Sequence, residues 1–164
     1  MASFESSNDW AGRETVQASA SQPTDMQRLL AFCEVGNYDG VTKVLQRAAH
    51  LVNVQGDLGD LPIHRAAAGG HVDVINLLVQ YGAQLDVYND IYDTPLHVAS
   101  WRGHPDAVAA LLAAGANSTM PNKEHNTALL VARNDEVKQA FANAAAQNVV
   151  AASDSDDDDS DDDY

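Results

Sequence analysis

The chain of 164 residues contains a single cysteine, Cys33. No disulfide can form within it, so a crosslinked scaffold is excluded and a reducing compartment is the natural setting. Aromatic residues make up only 6%, although hydrophobic residues reach 45%. Alanine supplies much of that apolar content, which calls for short elements packed closely. Basic residues are scarce: nine Lys and Arg stand against 24 Asp and Glu, a formal net charge of -15. Phosphate recognition needs clustered Lys and Arg, so direct nucleic-acid binding is disfavoured and a basic protein is the better partner. No apolar run approaches the ~20 residues of a membrane helix. The opening "MASFESSNDWAGRETVQ" has no basic start followed by an apolar stretch, and it carries Glu5, Asp9 and Glu14. That argues against a secretory or transit segment. A soluble monomer of the cytoplasm and/or nucleus is expected.

The chain does contain a repeat. "LPIHRAAAGGHVDVINLLVQYGAQLDV" from Leu61 aligns with "TPLHVASWRGHPDAVAALLAAGANSTM" from Thr94, 33 residues apart. A further 33 residues lead to "TALLVARNDEVKQAF" from Thr127. In the other direction, "LLAFCEVGNYDGVTKVLQ" from Leu29 fits the same pattern, with Gly36 in the place of Gly70 and Gly103. The units run at about 24–56, 57–89, 90–122 and 123–145. Each reads as two short helices. Thr94 is an N-cap, and Pro95 takes the first helical position, where its missing N–H costs nothing. Gly103 ends the first helix through positive φ. Pro105-Asp106 opens the second, in which Val108, Leu111 and Leu112 recur at helical spacing. Repeat two has Leu61 in place of the capping threonine, so either Asp60 substitutes as the cap or that helix start is simply weaker. The segment Ala116–His125 is turn-rich and predicts a projecting hairpin. Helices this short are marginal alone, so each unit must bury its face on the next.

The elements "DTPLHVASWRGH" and "LPIHRAAAGGH", each followed by a helix with "LL" and then "AGA" or "YGA", resemble the ankyrin repeat. The resemblance covers roughly residues 24–145 and implies an all-α solenoid of about four helix-turn-helix repeats with projecting hairpin loops. The ends depart from the pattern. The first repeat lacks the Thr-Pro-Leu-His element and has about one extra residue around "QRAAHL". The last has Leu130 where histidine is expected and about three fewer residues between its helices. The expected organisation is a disordered arm (1–22), the repeat domain (23–148) and a disordered acidic tail (149–164).

The resemblance implies a binding module without catalysis, cofactor or metal. His64 and His97 lie one above the other, and adjacent helices sit ~8–10 Å apart, too far to share one metal at ~2.0–2.1 Å. In ankyrin repeats this histidine ties neighbouring turns together. His71 and His104, after the glycine turns, are expected to be structural too. Ser100, His97 and Asp93 suggest a hydrolase triad, but Ser100 takes the packing position of Ala67, and no oxyanion turn accompanies it. Cys33, between Leu29, Leu30 and Phe32, is expected to be a buried inert thiol.

Ankyrin proteins usually receive partners in a concave groove made by hairpin tips and the exposed face of the first helices. By position, that groove holds Asp57, Leu58 and Asp60 at one tip, and Tyr88, Asp90, Ile91 and Asp93 at the next. Lys123, Glu124 and Asn126 form the third tip. The helix face adds Arg65, Ala68, Trp101 and Arg102. Trp101 stands out because Ala68 fills its place one repeat earlier. Aromatic and Arg side chains ringed by polar groups are the favoured composition of interface hot spots.

The tail carries eight aspartates between Asp154 and Asp163. Such a run can serve only for solubility, or it can tether a basic partner by long-range attraction. Ser153, Ser155 and Ser160 each precede an aspartate by three residues, a pattern favoured by acidophilic kinases. The leading expectation is an adaptor or chaperone-like binder of a basic protein or segment. Small ankyrin proteins with acidic tails that shield basic ribosomal proteins are similar in plan. The alternative is a stoichiometric inhibitor or regulator of a signalling protein such as a kinase.

Overall fold

The structure, a computed structural model, describes residues 23–153, with side chains as far as 147. The expected arm at 1–22 and the aspartate run from Asp154 lie outside the described residues, as do Ser155 and Ser160.

Seven α-helices and one 3-10 segment make up the described chain: α1 Asp25–Val35, α2 Tyr38–Arg47, the 3-10 turn Ala49–Asn53, α3 Pro62–Gly69, α4 Val72–Gln80, α5 Pro95–Arg102, α6 Pro105–Ala113 and α7 Asp135–Ser153. Helices α1, α3 and α5 form an inner layer, while α2, α4, α6 and α7 form an outer one. The inner helices are separated by small residues. Ala66, Ala67 and Ala99 are completely buried beside Leu29, Cys33, Ile63 and Leu96. The outer layer contributes Val41, Leu45, Val74, Ile75, Leu78, Val108, Leu111 and Val137, which occupy one face of each helix. Burying such side chains stabilises the stack by about 1.5–3 kcal/mol each before entropy is charged.

Local chemistry sets the helix ends. Thr24 and Gln27 form a reciprocal capping box at α1. Thr94 Oγ1 accepts the His97 N–H at α5, and Pro95 is the first helical residue. Of the two alternatives at α3, Asp60 does not cap and the helix start lacks a side-chain cap. Leu61 occupies the N-cap without a side-chain bond, and its N–H is taken by Nδ1 of His64 instead, at 3.1 Å. Asp60 is drawn away to other partners, described below. Gly36 and Gly70 close α1 and α3 at φ 75° and 74°. A Cβ on either would also strike a histidine ring of the next repeat, within 2.5 Å of His71 at Gly36 and 2.7 Å of His104 at Gly70. Left-handed backbone and close approach therefore both require glycine there.

The expectation of a fourth helix pair needs correction. Residues 127–131 make a single turn, with the N–H groups of Leu130 and Val131 bonded to Thr127 O, and no helix follows until α7. The missing residues are the reason. Arg133 N–H is pinned to Ser100 O at 3.0 Å, and Asn134 already caps α7 through Val137 N–H at 3.1 Å. Too little chain remains for two turns of helix. The stack thus has three full pairs and ends on a turn and one long helix. That helix runs to Ser153.

Candidate partner-binding face

Each repeat projects a tip, and a periodic set of bonds fixes the tips to the helices. The tips close through Gly56 N–H to Asp60 O (2.9 Å), Asn89 N–H to Asp93 O (3.1 Å) and Asn122 N–H to Asn126 O (2.8 Å). His64 Nε2 donates toward Val87 O and Asp93 O, at 3.1 and 3.2 Å. His97 Nε2 donates to Asn126 O at 3.0 Å, while Thr94 Oγ1 lies 2.8 Å from its Nδ1. Burial holds the His64 imidazole below its ordinary pKa, against the pull of Asp60 and the carbonyls. The second histidine pair works at the opposite end of the helices. His71 Nε2 bonds Glu34 O at 2.9 Å, and His104 Nε2 bonds Ala68 O at 3.1 Å. All four rings therefore join one repeat to its neighbour.

The serine-histidine-aspartate set is not brought together as a relay. Ser100 is fully buried, and its hydroxyl donates to Leu96 O at 2.8 Å. Asp93 turns toward Asn122 rather than His97. Among the described residues, no group of three or more His, Cys, Asp or Glu could hold a metal ion. Cys33 is buried, and burial pushes its thiol pKa up to about 12. No described helix is long and apolar enough to cross a membrane.

Nine of the residues assigned to the groove divide into two sets. Asp60, Arg65, Tyr88 and Asp93 are engaged within the stack. Asp60 accepts from Asn89 Nδ2 at 2.9 Å and lies 3.2 Å from Arg65 Nε, an ion pair without the alignment of a hydrogen bond. Arg65 also meets Glu34 of the preceding repeat at 3.3 Å. Asp93 accepts from Asn122 Nδ2 at 3.4 Å. The Tyr88 hydroxyl donates to Pro121 O at 2.7 Å. These side chains join tips and helices within the stack.

Leu58, Asp90, Ile91, Trp101 and Arg102 are exposed. Leu58 and Ile91 occupy the same place in successive tips, and each is 62% exposed. Trp101 is 41% exposed on α5, with the Arg102 guanidinium carbon 4.6 Å from its ring centroid. Ala68 holds the equivalent position one repeat earlier. Asp57, Lys123 and Glu124 are exposed on the tips as well. The face therefore combines apolar anchors with a mostly acidic set of exposed charges, Lys123 being the exception on the tips, and a cation–aromatic pair on α5.

Sequence reading missed Tyr92, Asn89, Asn122 and Arg133. Tyr92 is exposed at φ 63°, in the left-handed slot that Gly59 fills one repeat earlier and His125 one repeat later at 62°. A bulky residue there costs about 1–2 kcal/mol relative to glycine, and its ring lies 6.0 Å from that of Tyr88. The 33-residue spacing of Gly59, Tyr92 and His125 carried this signal, as did the matched periods of Asp60/Asp93 and Asn89/Asn122.

The family model described as "Ankyrin repeats (3 copies)" matches residues 29–122 and again 63–149. The chain belongs to the ankyrin-repeat family. Ankyrin repeats serve generally as protein–protein interaction modules. No curated protein matches the chain in sequence.

Proposed function

We propose that this protein is an adaptor or chaperone-like binder of a basic protein or segment, in the cytoplasm and/or nucleus, and not an enzyme. The observation carrying this reading is the exposure of Leu58, Ile91, Tyr92 and Trp101 on the tips and inner face, interleaved with the free carboxylates of Asp57 and Asp90. Exposed apolar groups of that size are binding material, and the surrounding charge selects a cationic client. The aspartates from Asp154 onward supply long-range attraction that orients the client before contact. Phosphorylation at Ser153, Ser155 or Ser160 would strengthen it by adding negative charge.

Titration with fluorescent peptides tests the reading, using Lys/Arg-rich sequences with interspersed leucines and matched acidic controls. The intact protein is expected to bind the basic set selectively. Ending the chain after Ser153 should weaken capture and flatten its salt dependence. Equal affinity for basic and acidic peptides would overturn the proposal. The inhibitor reading lacks a comparable observation. Small ankyrin inhibitors of cyclin-dependent kinases characteristically shorten the first helix of their second repeat, whereas α3 has eight residues, as α5 does.

A further inference from the structure

The second tip holds an aromatic residue in a strained position. Tyr92 is 55% exposed, yet its backbone sits at φ 63°, in the slot that Gly59 fills on the first tip. The left-handed region crowds a Cβ, and with so much of the residue facing solvent, burial does not offset that strain. The tip is nonetheless built to hold it. The Asn89 side-chain oxygen accepts the N–H groups of Ile91 and Asp93 at 3.2 and 2.9 Å, while its amide is anchored on Asp60. Enforced strain on a solvent-facing residue points to function. Tyr88 lies beside it, with ring centroids 6.0 Å apart and planes tilted by 45°. The Tyr88 hydroxyl is fixed on Pro121 O at 2.7 Å. The two rings form one aromatic surface, and one of them is tethered.

The apolar surface continues onto the first tip. Asp90 N–H donates to Leu58 O at 3.2 Å, which joins the two tips directly. Asp90 crosses Gly59, with its N 2.8 Å from where a Cβ would stand. Leu58 and Ile91 therefore sit one repeat apart on bonded tips, each with an exposed aspartate directly before it. The third tip ends both rows, because Glu124 follows Leu58 and Ile91, and Lys123 follows Asp57 and Asp90. A ligand for this surface must repeat at the step of the stack, and packed helices stand about 8–10 Å apart. A β-strand covers that step in three residues but presents the third from its opposite face. A polyproline II chain also covers it in three residues, about 9 Å, and returns to the same face. An α-helix needs seven, about 10.5 Å. The aromatic pair favours polyproline II, because proline-rich chains dock on aromatic surfaces and lose little conformational entropy in doing so.

We infer that the first two tips hold a basic, proline-rich segment of a partner protein in polyproline II form. A proline packs on the Tyr88–Tyr92 surface, every third residue meets Ile91 and then Leu58, and Arg or Lys residues of the same period pair with Asp90 and Asp57. Arginine suits those contacts because its planar fork pairs with a carboxylate in two-point fashion. The inference rests on the reading of the client as basic, and it adds the conformation and the sequence period of the bound segment.

Labelled synthetic peptides titrated into the full chain at about 0.15 M salt, followed by anisotropy, test it. One peptide is built of Pro-Pro-Arg triplets. A second has the same residues with the arginines grouped at one end, and a third has Ala-Ala-Arg triplets. A fourth is helical, with leucines seven residues apart and lysines between them. The periodic proline peptide is expected to bind about ten-fold or more tighter than each of the others. Tyr92→Gly should weaken its binding about ten-fold while raising the unfolding midpoint, since glycine relieves the left-handed strain. Tyr92→Phe should keep both values. The pair Asp57→Asn/Asp90→Asn should lower affinity and flatten its salt dependence. Equal binding of the periodic and regrouped peptides, tightest binding by the helical one, or full affinity in Tyr92→Gly would overturn the inference and leave the basic-client reading standing. Failure of every basic peptide to bind would overturn both.

Discussion

Replacing His97 by leucine asks how much one tip pin contributes. Leucine is the residue the chain itself carries at the equivalent place, Leu130, where no further repeat must be held. His97 is buried, and its ring joins α5 to the last tip through Asn126 O at 3.0 Å and engages Thr94 at 2.8 Å. Leucine fills a similar volume, so no large cavity forms. The cost comes from polar groups left without partners. The Asn126 carbonyl is half-buried and regains some water, whereas the buried Thr94 hydroxyl keeps the residue-97 N–H at 3.4 Å but loses the acceptor for its own proton. At about 1–3 kcal/mol for a buried orphan and less for a wetted one, the total is about 2–4 kcal/mol. That is a large share of the ~5–15 kcal/mol available to a domain. Urea unfolding followed by circular dichroism measures it, with an unchanged slope showing that the same surface unfolds. Hydrogen exchange should show protection lost first at residues 121–127. A cost below about 0.5 kcal/mol would refute the reasoning, because the pin would then be no more than a surface contact.

Leu130→Gln should change stability by less than about 0.5 kcal/mol, since Leu130 is 70% exposed and pins nothing. Trp101→Ala should cost no more than about 2 kcal/mol of stability, because a half-exposed ring leaves no closed cavity, yet lower client-peptide affinity by about 30-fold or more; unfolding curves and peptide titrations of one sample separate the two. Stability should fall as pH drops below 6.5. The unfolded chain gains a proton on the His64 ring there, while the folded protein, with its lowered pKa, resists until lower pH. Unfolding midpoints of wild type and His64→Gln across that range should converge toward acid. Cys33 should react with an aromatic disulfide reagent only as fast as the protein opens, because its thiol pKa of about 12 leaves almost no thiolate at neutral pH.

Much of this molecule is legible in its period. Thr94, Pro95, Gly103 and the histidines announce caps, turns and pins through local chemistry, and each performs the role its residue type suggests. Asp60 is different. Its position before α3 suits a cap, but Asn89 and Arg65 offer a carboxylate more than a helix end does, and those partners lie 29 and 5 positions away. The last repeat also misled, because a plausible helical string, "TALLVAR", lost its helix to two anchors at Arg133 and Asn134.

The sequence by itself determined the repeat unit, the inner and outer layers, the structural histidines and the excess of acid. Those depend on local propensity and a hydrophobic period, which a single unit already contains. Tertiary structure decided which groove residues remain free. Asp60, Arg65, Tyr88 and Asp93 became stack contacts, whereas Leu58, Ile91, Tyr92 and Trp101 stayed exposed. A side chain's availability depends on what the neighbouring repeat places beside it, and only the assembled stack sets that distance.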